Sequence, residues 1–140
     1  KMESGNRNHR KGQDLWNKVK ELPFVECTCT NGTYSLEEMY ALFRNTDIVL
    51  STSLLEGGPI GVIEALACGC DVVAPSGVGF IDDFSEITKY TCGCFEEVEK
   101  ILLEKYAEKL KRYYVVRNLT EKNWCKTHYD LFRKLLKNRQ

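Results

Sequence analysis

Two glutamates frame a glycine-rich run in the stretch "LLEGGPIGVIEALACG": Glu56 before it, and Glu64 with seven residues between them. Gly57, Gly58 and Gly61 carry no side chain to hold a ligand away from the main chain. A helix starting just behind them would point free N–H groups and its positive dipole end into the turn. That makes an anion site, with each favourable charge contact worth about 0.3–2 kcal/mol. Phosphate is the anion it suits, because no acidic residue lies inside the turn. Glu64, three residues past Gly61, stands one turn into such a helix and faces the same cleft. Its ionised carboxylate accepts two hydrogen bonds, as a vicinal diol such as ribose requires. Glu56 lies on the far side of the phosphates. The pair therefore reads as two acceptors flanking a phosphate cradle, the shape a nucleotide sugar needs. By residue type alone, a solvated loop glutamate and a surface helix glutamate fit equally well.

Positioning that turn falls to the elements on either side. "DIVLSTS" (47–53) is an almost continuous apolar strand of the kind buried on both faces of a parallel sheet, and "CDVVAPS" (70–76) is another. Between them "GVIEALACG" reads as a short helix ended by Gly69. Upstream, "GQDLWNKVKEL" (12–22) has helical apolar spacing, and "FVECTCT" (24–30) alternates as a strand does. Ser35 opens a further helix with the S-x-x-E capping box completed by Glu38. Downstream, a short strand around "TKYTCGC" precedes a charged amphipathic helix over 95–114 and a last helix over 119–138. Strands alternating with helices predict an α/β fold: an open parallel sheet with helices on both faces, Rossmann-like. In such a sheet, ligands bind beyond the carboxyl ends of the strands, where "LLEGGPIG" falls.

Lys and Arg together number 20, as do Asp and Glu, so the formal net charge is zero. That balance gives no sign of a nucleic-acid partner, although "FRKLLKNR" is locally basic. No apolar run approaches the roughly 18 residues of a membrane-spanning helix. The expectation is a soluble, cytoplasmic single domain over residues 1–140. Seven cysteines fall largely into three C-x-C pairs, 27/29, 68/70 and 92/94. On a strand such pairs point the same way without wrapping a metal, so free and mostly buried thiols are expected.

"EGGPIGVIEALACGCDVVAPSGVG" resembles the donor-binding, carboxy-terminal half of retaining glycosyltransferases of the group 1 type with two Rossmann-like domains, the GT-B architecture. Those enzymes carry a glutamate, seven residues and a second glutamate, followed by "A-(M/L)-A-x-G-x-P-V-(V/I)-A". "KGQDLW", "SLEEMYALFRNTDIVLSTS" and "NWCKTHYDLFRKLL" extend the resemblance over most of the chain. It implies that Glu64 binds the ribose hydroxyls and that Glu56 orients the donor sugar. The backbone of Gly57, Gly58, Ile60 and Gly61 would meet the diphosphate or sugar. Lys11 resembles the lysine that neutralises the departing diphosphate, stabilising charge that develops in the transition state. Its arginine partner usually stands five residues earlier, where this chain has Asn6; Arg7 is the nearest choice and Arg10 the competitor.

The resemblance further implies a nucleotide-diphosphate sugar as donor (UDP among the possible bases), no cofactor and no required metal. The partner would be an amino-terminal acceptor-binding domain, with peripheral membrane association open and the isolated domain inactive. By position, the base would lie near Thr30–Tyr34. The chain departs from the pattern in having Pro59 where relatives offer an amide, and in a short stretch before "SLEEM". Two other readings remain: a non-catalytic nucleotide-sugar-binding or interaction module, and a nucleotide-sugar epimerase domain.

Overall fold

A computed structural model describes residues 10–30, 32–117 and 120–137. Its elements run α1 (Gln13–Val19), α2 (Leu36–Arg44), β1 (Ile48–Leu50), α3 (Ile60–Ala67), β2 (Asp71–Pro75), a 3-10 turn (Ile81–Asp83), β3 (Thr88–Tyr90), α4 (Phe95–Arg117) and α5 (Glu121–Lys137). The fold is α/β, with an open parallel sheet in the order β1-β2-β3 flanked by helices. Val49 stands opposite Val72, and Ala74 opposite Lys89. The chain divides into two compact units, Lys1–Ile101 and Leu102–Gln140, the boundary falling within α4. The sheet and the candidate site belong to the first. No helix of the described residues is long and apolar enough to cross a membrane.

Local chemistry accounts for the helix ends. Ser35 Oγ accepts from the Glu38 amide at 3.3 Å, and the Glu38 carboxylate accepts from the Ser35 amide at 2.7 Å. That capping box satisfies two donors at the start of α2, and the Ser35 amide draws the Glu38 carboxyl below its ordinary pKa. Gly69, at φ 81°, takes the left-handed conformation just past α3, as its position in the sequence predicts.

Alternation along β2 divides the core. Val72 and Ala74 join Phe43 of α2 and Val62 and Ala65 of α3, with Val78, Ile81 and Ile87 closing the cluster. Val73 and Pro75 are fully buried on the opposite side of the strand. A strand buried on both faces is what the unbroken apolar run predicts.

Two expectations are corrected. "FVECTCT" forms no strand: residues 25–30 have no regular structure, and the sheet's three strands all lie after residue 47. Its alternation survives, with Val25 and Cys27 half-buried and Glu26 and Thr28 exposed, but among the described residues no neighbour supplies a ladder. The thiols are free but not mostly buried: only Cys70 is buried, while Cys29, Cys92 and Cys125 are exposed. Cys70 Sγ donates to the Phe43 carbonyl at 3.1 Å, and burial raises its pKa.

Candidate functional site

Because the three strands are parallel, the segments that follow them gather on one edge of the sheet. Tyr90 ties that edge together: its hydroxyl, at the end of β3, donates to the Ser51 carbonyl after β1 at 2.7 Å. Burial pushes this phenol well above its ordinary pKa, so it stays a neutral donor. The Ser51 amide donates to Val73 and the Ser76 amide to Tyr90, extending both ladders toward the same loops.

The segment carrying Lys11 is fastened across this edge from more than forty residues away. Thr52 Oγ1 donates to the Lys11 carbonyl and the Leu54 amide to the Arg10 carbonyl, both at 2.8 Å. Between those bonds Gly12, at φ 69°, crosses the main chain so closely that a Cβ there would sit 1.8 Å from the Thr52 carbonyl oxygen. Only glycine permits this approach. Its result is an ion pair between Lys11 Nζ and Glu56 Oε1. Ser53 Oγ donates to the same oxygen at 2.9 Å. Glu56 is held below the ordinary carboxylate pKa, first by the Lys11 hydrogen bond against partial burial, with help from Ser53 and the Arg10 charge.

The turn itself sorts its amides. Ile60 donates to the Gly58 carbonyl at 2.9 Å and Val62 to the Pro59 carbonyl at 3.0 Å. Among the described residues, the amides of Gly57, Gly58 and Gly61 have no acceptor. Pro59 is the N-cap of α3 and offers no side-chain cap, so the dipole end of the helix is left uncompensated. A Cβ at Gly57 or Gly61 would meet nothing within 4 Å. Gly58 is tighter, since a Cβ there would lie 3.3 Å from the Phe80 ring.

A second loop braces this turn. Gly79, at φ 59°, leans on it so that a Cβ would come 2.9 Å from Pro59 Cδ and 3.3 Å from the Glu56 carbonyl oxygen. Asp82 fixes that loop, accepting from Ser76 Oγ at 3.0 Å and from the Gly77 amide at 2.7 Å.

Of the residues singled out in the sequence, Lys11, Glu56, Gly57, Gly58, Ile60 and Gly61 come together here. Glu64 is half-buried on the same face of α3 as Gly61, and its carboxylate makes no hydrogen bond or ion pair among the described residues and is not joined to Glu56. Arg7 lies outside the described residues. Arg10 is the described arginine whose charge acts on Glu56. The segment around Thr30–Tyr34 is an exposed loop, with Asn31 outside the described residues. Gly12, Ser53, Gly79 and Asp82 were not singled out. A glycine directly after the lysine was the one available signal for the first; the others depend on contacts that sequence spacing does not reveal.

At the carboxyl end of the sheet this Rossmann-like fold sets an uncapped helix start, with a lysine drawn across to the carboxylate that precedes it. The chain belongs to the glycosyl transferases group 1 family, whose match covers residues 20–113, more than half of the chain. The family's chemistry is glycosyl transfer. The matched region includes Glu56, the glycine turn and Glu64, and begins after Lys11. No curated protein and no solved structure matches the chain.

Proposed function

We propose that this chain is the donor-binding domain of a retaining GT-B glycosyltransferase, taking a nucleotide-diphosphate sugar for hexosyl transfer to an acceptor held by a separate amino-terminal domain. The observation that carries the reading is the meeting of Lys11 with Glu56 beside a turn whose Gly57, Gly58 and Gly61 amides have no acceptor among the described residues. The cation, the amides and the end of α3 supply positive charge for a diphosphate. Glu56 supplies an acceptor for sugar hydroxyls, and Glu64 one for the ribose.

In transfer, the bond from the anomeric carbon to the diphosphate oxygen breaks, and negative charge grows on the departing phosphate. Lys11, joined by Arg7 or Arg10, stabilises that charge in place, so catalysis is positioning and electrostatics. This assignment makes the protein cytoplasmic, with UDP the first base to test, and leaves the isolated domain a binder without turnover. Calorimetric titration of the chain with UDP, GDP, ADP and their common sugar conjugates tests it. Binding of one base, tighter as its sugar conjugate, is expected; heat from none of them would refute it.

A further inference from the structure

Ser53 is buried, at 8% exposure. Its hydroxyl and the Lys11 ammonium share a single oxygen, Oε1 of Glu56, and Oε2 accepts nothing among the described residues. The two donors differ in kind. Ser53 sits on a short, buried side chain just past β1, whereas Lys11 reaches over on a flexible stem with its side chain 53% exposed. Glu56, at 19% exposure, has little freedom of its own. An exposed lysine–carboxylate pair is weak, and a diphosphate offers the same ammonium more charge and more acceptor oxygens.

We propose that Ser53 is a positioning residue for Glu56, and that the Lys11–Glu56 pair is exchanged when the donor arrives. The diphosphate takes the ammonium, and Ser53 keeps Glu56 in place so that its released acceptor capacity meets the sugar hydroxyls. Until then Lys11 stays on the Glu56 carboxylate. This deepens the nucleotide-sugar reading and rests on it for the sugar; the exchange itself requires only a diphosphate.

The exchange is tested by titrating the full chain, Glu56→Gln, Lys11→Ala and the double variant with inorganic pyrophosphate. Glu56→Gln is expected to bind about three- to fivefold more tightly than the unaltered chain, because the ammonium is no longer engaged. In the Lys11→Ala background the same substitution is expected to gain less than about twofold. Equal gains in both backgrounds would mean simple removal of a repelling charge and would overturn the exchange, as would an absence of pyrophosphate binding throughout. Ser53→Ala is then compared with UDP and UDP-glucose. UDP affinity is expected to hold within about twofold while the added affinity of the conjugate disappears, and Ser53→Thr, which keeps the hydroxyl, restores it. Equal losses for both ligands would make Ser53 merely structural and overturn its positioning role. A chain that shows the pyrophosphate pattern but binds neither UDP nor UDP-glucose keeps the exchange, and overturns the role of Ser53 together with the UDP reading.

Discussion

Alanine placed at Gly12 and at Gly61 should have opposite effects, and the contrast tests how the site is built. At Gly12 the backbone is left-handed, which costs an L-residue about 1–2 kcal/mol. The added Cβ would also stand 1.8 Å from the Thr52 oxygen and 2.7 Å from its carbonyl carbon. Neither is the end of a flexible side chain, so the two segments must part. Parting them loses the Thr52–Lys11 and Leu54–Arg10 hydrogen bonds, each worth about 0.5–1.5 kcal/mol net. Together these amount to about 2–5 kcal/mol, out of the roughly 5–15 kcal/mol that holds a small domain folded. A fall in Tm of at least about 8 °C follows. Gly61 lies in the first turn of α3 without a positive φ, and a Cβ there would touch nothing. Alanine favours a helix over glycine by up to about 1 kcal/mol, so Tm should hold or rise by a few degrees. The same methyl would obstruct a phosphate against the Gly61 amide, and losing one charge-assisted hydrogen bond weakens donor binding about ten- to a hundredfold. Thermal unfolding and titration calorimetry on both variants read the two effects separately. A Gly12→Ala protein within about 2 °C of the original would refute the claim that this close approach places Lys11. Unimpaired donor binding by Gly61→Ala would refute the cradle.

Two further outcomes follow from the same geometry. Glu56 has a folded-state pKa below its unfolded value, so the stability it contributes is complete above the ordinary carboxylate pKa of about 4.3 and is lost as pH falls through the lower folded value. Thermal unfolding from pH 3 to 7 should therefore show a steeper acid limb for the original chain than for Glu56→Gln, by up to about 1 kcal/mol; parallel limbs would deny the pair. Asp82→Ala removes the acceptor of both the Ser76 Oγ and the Gly77 amide hydrogen bonds, costing about 1–2 kcal/mol. Amide exchange at Gly77 and Gly79 should quicken in that variant while α2 is unchanged, and unaltered exchange at Gly77 would show that Asp82 does not hold the loop.

What was legible in the sequence is what short stretches decide for themselves. The Ser35–Glu38 box, the αL glycine after α3 and the unbroken apolar run of β2 each express chemistry within a few residues, and each forms. The misreading of "FVECTCT" has the opposite origin. Period-two alternation prepares a segment for a sheet, but a strand exists only where another chain segment offers its carbonyls and amides, and that partner is not encoded in the segment. Through the family resemblance Lys11 was readable as a partner of the diphosphate and Glu56 as one of the donor sugar. That they pair with each other depends on Gly12 against Thr52, a contact across forty residues. Asp82 could not be found by spacing either, because an aspartate closing a loop and one facing solvent look alike in a string of letters.

The glycines around the site fall into two physical kinds, and the division bears on function. Gly12 and Gly79 are required by the protein's own packing: both adopt positive φ, and a Cβ at either would press on neighbouring atoms. Gly58 is partly of that kind through Phe80. Gly57 and Gly61 meet neither demand, having ordinary backbone conformations and open space where a side chain would go. A glycine in a helical turn costs about 0.5–1 kcal/mol relative to alanine. At Gly61 no contact among the described residues offsets that cost, whereas an amide that donates to none of their carbonyls, at a helix dipole's positive end, gives a reason for leaving the position bare. Packing explains the first pair without reference to any ligand. The second pair has no such packing reason, and the proposed phosphate site would supply one, because a bare main chain lets an anion reach the amides.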